Sequence, residues 1–317
     1  MGIGKVVSRS FGRIGLLMGG PSSEREISLR SGKAVLEALK QLELDVTPID
    51  IKTDSVEENI RLLEPVKLDC AFLALHGRFG EDGSIQEILE RLSIRYTGSG
   101  VAASRLAMDK ISSRELFESR GLHVPRYEVL EKATFNGSEK PSLKLGLPLV
   151  IKPASHGSSI GLSIVHEEEE VKKALELAFT FDERILVEEY IKGREMTVGI
   201  LDEQALPVIE IIPKNPFFDY EAKYQKGLTE YVVPARLEEF LAKEISLASL
   251  SAHRALGCRG CSRVDLILNE AREPVVLEVN TIPGLTATSL LPKAAKFIGI
   301  EFPELCLHLI RLAYEKE

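Results

Sequence analysis

Residues 261–290 read C-S-R-V-D-L-I-L-N-E-A-R-E-P-V-V-L-E-V-N-T-I-P-G-L-T-A-T-S-L, two alternating runs joined by a polar turn containing Asn269 and Pro274. That pattern predicts a β-hairpin. Side chains two apart on a strand share a face, so Arg263 stands beside Asp265 on one strand and Glu278 beside Asn280 on the other. Folding the hairpin gathers one cation and three oxygen ligands into one patch. Carboxylate and amide oxygens suit a hard cation such as Mg²⁺, which keeps some waters and usually serves substrate phosphates. The competing reading is a surface hairpin whose charges are merely solvated, and the rest of the chain bears on the choice.

The 317 residues are 44% hydrophobic and 28% charged, with room for roughly two or three domains that each have a core. A net charge of -8 argues against a nucleic-acid or anionic-membrane partner, since both require a basic face. Any anionic ligand must be held by local lysines and arginines. The opening M-G-I-G-K-V-V-S-R-S lacks the apolar core of a signal peptide, and no run approaches the roughly 18 apolar residues of a membrane span. The expected location is the cytoplasm. Cys70, Cys258, Cys261 and Cys306 are too scattered for a disulfide framework and are expected as reduced thiols. Cys258-x-x-Cys261 has no second pair to make a zinc site.

Residues 13–18 (R-I-G-L-L-M) and 69–75 (D-C-A-F-L-A-L) are continuous apolar runs, the mark of strands buried on both faces of a parallel sheet. Between them Ile27 to Leu42 carries Val35, Ala38, Leu39 and Leu42 at helical spacing. Strand and helix alternate, so about the first hundred residues predict an open α/β domain. From Asp109 the texture changes to a helix, extended runs at 147–151 and 161–165, a helix over 168–179 and a strand over 184–190. These predict an α+β domain with antiparallel strands. The remainder holds strands, a loop rich in Pro and aromatics (213–231), a helix over 237–256, the hairpin, and a closing helix after Pro303.

Several segments carry chemistry. Residues 149–161, L-V-I-K-P-A-S-H-G-S-S-I-G, predict a strand ending in Lys152, then a small-residue loop whose backbone N–H groups can close on phosphate oxygens while Lys152 supplies a point charge. A plain Gly/Ser turn is the alternative. Lys110 opens a helix where a cation opposes the dipole, which suggests that it is aimed at a ligand. Glu24, in G-G-P-S-S-E-R-E, follows a buried strand and precedes a helix, the edge where open α/β sheets bind ligands. It could equally be a helix-start carboxylate. His76, in L-H-G-R-F-G-E-D-G, occupies a similar loop and reads as either structural or catalytic. Gly98-Ser99-Gly100-Val101-Ala102-Ala103 fits a dinucleotide fingerprint, but no second strand ending in an acidic residue follows about 20 positions on, so an oxidoreductase is set aside.

Segments G-G-P-S-S-E-R-E-I-S-L, A-L-H-G-R-F-G-E-D-G, M-D-K, V-I-K-P-A-S-H-G-S-S-I-G, V-E-E-Y-I-K-G-R-E, F-D-Y-E-A-K-Y, G-C-R-G-C-S-R-V-D and E-V-N-T-I-P-G-L-T-A-T-S-L occur in this order. Together they resemble the D-alanine–D-alanine ligase family of the ATP-grasp superfamily, from Gly19 to Leu290. The resemblance implies an ATP-grasp fold with an N-terminal open, Rossmann-like α/β domain (1–107), a central α+β domain (108–194) and a C-terminal α+β domain (195–317). It implies an enzyme that ligates two D-alanines through an acyl phosphate, releasing ADP and phosphate, for peptidoglycan precursors, and that acts as a cytoplasmic homodimer. Lys110, Lys152 and Lys223 would contact ATP phosphates. Glu188, Glu189, Tyr190 and Ile191 would border the adenine, with Glu195 on the ribose. Asp265, Glu278 and Asn280 would hold two Mg²⁺, or Mn²⁺ in their place. Glu24 would bind the first D-alanine ammonium, with His76 beside it. Arg263 and the Gly284 N–H would steady the oxyanion, while Ser289 and Leu290 would receive the second D-alanine carboxylate. Ser158 and Tyr224 would join Glu24 in a network closing the 213–231 loop. Tyr224 also speaks against the nearest alternative, a D-alanine–D-lactate ligase, whose members lack that tyrosine.

Overall fold

The computed structural model describes residues 11–135, 143–213 and 229–315. The two apolar runs are strands β1 (Ile14–Gly19) and β3 (Cys70–Leu73). With β2 (Val46–Ile51) and β4 (Arg95–Tyr96) they form a parallel sheet in the order β2-β1-β3-β4. Strand β1 lies inside the sheet, which is why its sequence is continuously apolar rather than alternating. Helix α1 (Arg25–Gln41) buries Ile27, Val35, Ala38 and Leu39 on one stripe. The short helices α2 (Val56–Leu63), α3 (Ser84–Arg91) and α4 (Val101–Met108) complete this region.

Helix α5 (Lys110–Ser119) starts with the Asp109 carboxylate accepting from the N–H groups of Ile111 and Ser112, a helix cap. It leads into a second sheet built from β5 (Tyr127–Glu131), β6 (Leu149–Pro153), β7 (Ser163–Val165) and β8 (Arg184–Glu189). Its order is β5-β8-β6-β7, antiparallel throughout. Helix α6 (Glu168–Phe179) covers one face and closes a core of Leu149, Ile151, Val171, Leu175 and Val187.

A third sheet holds β9 (Gly193–Leu201), β11 (Ile209–Pro213), β12 (Thr229–Val232), β13 (Cys261–Asn269) and β14 (Pro274–Asn280), in the order β12-β11-β9-β13-β14. The short β10 (Gln204–Ala205) pairs with β9. The hairpin expected over 261–280 is β13 and β14, with Arg263 opposite Asn280 and Asp265 opposite Glu278. Its turn is closed by the Glu273 N–H donating to Asn269 Oδ1 at 2.8 Å. Strand β13 also pairs along its length with β9, so the hairpin is built into a sheet, β13 inside it and β14 at its edge, rather than forming a free surface flap. Helix α7 (Glu239–Ala255) packs behind it.

Two features had no clear signal in the sequence. Pro292 reads as a breaker, yet it falls in the first turn of helix α8 (Leu290–Phe297), where its missing N–H is not needed. Helix α9 (Phe302–Tyr314) folds back on α1, and the Tyr314 hydroxyl donates to the Phe11 carbonyl. One core therefore joins Ile14, Leu16 and Leu39 with Leu201, Leu206, Leu291, Leu305 and Leu309. The Gly98–Gly100 loop does open a helix, but the turn leading into β13 packs against it: Arg259 N–H donates to Ser99 Oγ at 3.2 Å. All four cysteines are buried and none forms a disulfide. No helix among the described residues is long and apolar enough to cross a membrane.

Candidate active site

Between the second and third sheets lies a cavity of about 430 Å³. Lys110, Lys152, Glu188, Glu195, Asp265 and Glu278 reach its wall, together with Glu189 at the end of β8 and Tyr190 and Ile191 in the link to β9. Strand periodicity places these groups: Lys152 is the penultimate residue of β6, Glu195 faces the cavity from β9, and Asp265 and Glu278 come from the hairpin. The wall thus combines an apolar segment with cations at one end and carboxylates next to them.

The cations are pre-positioned. Lys110 is buried, donates from Nζ to the His156 carbonyl at 2.6 Å, and stands 3.6 Å from Glu278 Oε2. Lys152 is buried with Nζ 2.6 Å from Glu188 Oε2. Burial lowers the Lys152 pKa, the Glu188 charge pulls it back up, and Arg114 and Lys110 push it down again; the net direction is down. Burial alone would raise Glu188, but the charges of Arg114 and Lys152 and their hydrogen bonds outweigh it and hold the carboxylate below its usual range. Glu188 borders the cavity, yet its side chain is committed to these cations.

The loop after β6 brings Ser155–Gly161 over the cavity mouth. Ser158 and Ser159 take φ of +54° and +57°, a region costly for residues with a Cβ and commonly found at functional sites. The Ser158 hydroxyl donates to Glu24 Oε1 across 134 residues of sequence. Glu24 sits at the N-cap of α1 but makes no side-chain capping bond. A Cβ on Gly77, at φ +73°, would lie 2.5 Å from Glu24 Oε2. Three loops, from the first sheet twice and the second once, therefore meet at one buried carboxylate.

His76 bridges. Its Nδ1 is 3.1 Å from the Ile282 carbonyl, which can only accept, so Nδ1 carries a proton, and Nε2 is 3.0 Å from Ser31 Oγ. Beside it, burial raises the pKa of Glu81, and the His76 hydrogen bond opposes that shift only in part. On the hairpin, Arg263 makes two bonds to Asp265, from Nε at 2.9 Å and Nη2 at 2.6 Å. Asn280 Nδ2 donates to Asp265 Oδ2 at 3.1 Å and Thr197 Oγ1 to Oδ1 at 2.6 Å. Two carboxylates and an amide converge there. This donor set fits Mg²⁺, which takes few protein oxygens and completes its shell with water and phosphate. Farther along, Ser289 occupies the N-cap position of α8 without a side-chain capping bond, its Oγ accepts from Thr286 N–H at 3.1 Å, and a Cβ on Gly284 would press against it at 3.0 Å.

Lys223 and Tyr224 lie outside the described residues, as does most of the 213–231 loop. Two contributors had not been singled out from the sequence. Arg114 lies one helical turn beyond Lys110, an i, i+4 spacing that puts both cations on one side of α5. Thr197 shares a strand face with Glu195 by simple alternation.

A nucleotide-sized cavity between two antiparallel sheets, with lysines at one end and a carboxylate hairpin beside them, defines a ligase of the ATP-grasp class. The chain matches the family model "D-ala D-ala ligase C-terminus" over residues 116–311 and "D-ala D-ala ligase N-terminus" over 13–65 and 55–99. It belongs to the D-alanine–D-alanine ligase family. It is 46% identical over 312 residues to the D-alanine–D-alanine ligase of Pelotomaculum thermopropionicum, covering 96% of this chain and 97% of that one. With the ligase of Geobacter sulfurreducens it shares 49% identity, covering 92% and 91%. Among solved structures it resembles the D-alanine–D-alanine ligase of Bacillus anthracis complexed with ATP, with TM-score 0.83, 35% identity and coverage of 95% and 97%. The VanG D-Ala:D-Ser ligase of Enterococcus faecalis is also similar, with TM-score 0.81, 32% identity and coverage of 95% and 99%.

Proposed function

We propose that this chain joins two D-alanines at the expense of ATP to form D-alanyl-D-alanine for peptidoglycan precursors. The observation that carries the reading is the convergence of Lys110, Lys152, Asp265 and Glu278 on one cavity, with Glu24 held by Ser158 of the phosphate loop.

A carboxylate and an ammonium do not condense in water, so the first D-alanine carboxylate must be activated. Its oxygen attacks the γ-phosphorus, the bond to the ADP oxygen breaks, and an acyl phosphate forms. The uncharged amine of the second D-alanine then attacks the acyl carbon, losing a proton as phosphate departs. Lys110 and Lys152, with Lys223, bind the phosphates as point charges. Glu189, Tyr190 and Ile191 border the adenine beside Glu188, and Glu195 takes the ribose. Asp265, Glu278 and Asn280 would hold two Mg²⁺, or Mn²⁺, which would supply charge neutralisation for the transferring phosphoryl group. Arg263 and the Gly284 N–H would steady the oxyanion, and one such donor is worth on the order of 10²- to 10³-fold in rate. Glu24 holds the first ammonium, with His76 fixing the neighbouring loops. Ser289, Leu290 and the N-terminus of α8 receive the second carboxylate. Ser158 and Tyr224 link Glu24 to the 213–231 loop, which excludes water from the acyl phosphate.

The domain divisions 1–107, 108–194 and 195–317, a homodimer and a cytoplasmic location belong to the same reading. Phosphate release from ATP with D-alanine, L-alanine, D-serine and D-lactate offered separately as the second substrate tests it. Release should require Mg²⁺ and D-alanine; equal turnover with L-alanine would overturn the substrate assignment.

A further inference from the structure

Arg114 is the bulkiest fully buried side chain among the described residues, with no solvent exposure. Its Nε and Nη2 both donate to Glu188 Oε1, at 3.1 and 2.9 Å, and its Nη1 donates to the Val276 carbonyl at 3.1 Å. The other oxygen, Glu188 Oε2, is 2.6 Å from Lys152 Nζ. Burying a guanidinium is costly even when it is paired. An apolar residue would have packed the base of α5 more cheaply, so the charge calls for a reason beyond packing.

We propose that Arg114 is a positioning residue for the nucleotide phosphates, acting on Lys152 through Glu188. By saturating Oε1 it prevents the Glu188 carboxylate from turning, which leaves Oε2 fixed beneath the Lys152 ammonium. It also alters the charge balance. Lys152 and Glu188 alone would form a neutral pair with little pull on an anion. Adding Arg114 gives the group of three a net positive charge, and Lys152, whose ammonium lines the cavity, presents it there. The third bond has its own effect. Val276 is two residues before Glu278 on β14, so the same guanidinium sets the distance between Lys152 on β6 and the carboxylate hairpin. A lysine at this position could supply the charge but not the three-way fork.

This inference rests on the cavity being the nucleotide site, and MgATP affinity measured by isothermal titration separates the two. Wild type that fails to bind MgATP removes the nucleotide reading itself. If wild type binds, Arg114→Met should weaken MgATP binding by roughly tenfold or more, as expected when a charge-assisted pair is lost. The KM for D-alanine should stay within about twofold, because that subsite lies on the Glu24 side and shares no bond with Arg114. Because the effect passes through Glu188, losses in Arg114→Met and Glu188→Gln should not add in the double variant. Full additivity, or a lowered Tm with unchanged MgATP affinity, overturns the proposal. Should Arg114→Met fail to fold, Arg114→Lys decides alone: a single ammonium cannot span Glu188 and the Val276 carbonyl, so affinity should still fall by roughly threefold or more. Wild-type affinity in that variant also overturns the proposal.

Discussion

Glu24 and His76 each allow two readings from sequence and Lys110 reads as a cation aimed at a ligand; the structure gives each of them partners far away in the chain. Glu24 sits where a capping carboxylate would sit but bonds to Ser158 instead of its own helix. Lys110 is unfavourable at a helix start, and the compensation is the His156 carbonyl and Glu278. His253 was not singled out. Its Nδ1 is 2.7 Å from Ser262 Oγ, directly behind Arg263, and its Nε2 has no hydrogen-bond partner among the described residues. Burial pushes its pKa down from 6.5 to about 4. Below pH 6.5 the unfolded chain takes up a proton that the folded chain refuses until about pH 4, so stability declines through that window. The contribution is at most about 3 kcal/mol. Thermal melts from pH 7.5 to 4.5 should show Tm falling with pH, and His253→Gln should flatten the fall. Parallel slopes in variant and wild type would remove His253 from the account.

The hairpin β13–β14 was legible because alternation and a polar turn are local signals. Its side-chain inequality was not, because that depends on β9. Asp265 accepts from Arg263, Asn280 and Thr197, whereas Glu278 is more open and stands near Lys110. Both substitutions should remove most Mg²⁺-dependent turnover. They should differ in stability: Asp265→Asn leaves a partly buried Arg263 poorly paired and should cost roughly 1–3 kcal/mol. Glu278→Gln should melt close to wild type. Phosphate release and denaturant melts measure the two effects separately. Near-normal turnover in Glu278→Gln would take the metal site away from the hairpin.

Across the molecule, the core is divided unequally. The first and third sheets share one cluster through α8 and α9, from Ile14 to Leu309, while the central sheet closes its own around Leu149, Val171 and Val187. Elements with separate cores open separately. Amide hydrogen exchange should therefore be faster in Leu149–Pro153 and Arg184–Glu189 than in Ile14–Gly19 and Cys261–Asn269. Saturating MgATP, bound as proposed between the second and third sheets, should slow the central set by roughly a hundredfold at about 100 times its Kd. Exchange that is uniform across both sets and indifferent to MgATP would make the chain a single cooperative unit.

The sequence by itself determined the elements with short-range signals. Buried parallel strands announced themselves as continuous apolar runs, α1 and α6 by their periodicity, and the hairpin by alternation. The ordered motifs determined the family, because glycine-rich turns and their charged neighbours are contiguous in the chain. Tertiary structure decided what depends on residues far apart. The contact between Glu24 and Ser158, the clamp of Arg114 on Glu188 and Val276, and the return of α9 onto α1 each join segments with no local trace of one another. The energy of a buried charge depends on what surrounds it in space, so a lone Arg114 in a helical sequence reads as a surface residue until its carboxylate is found 74 positions away.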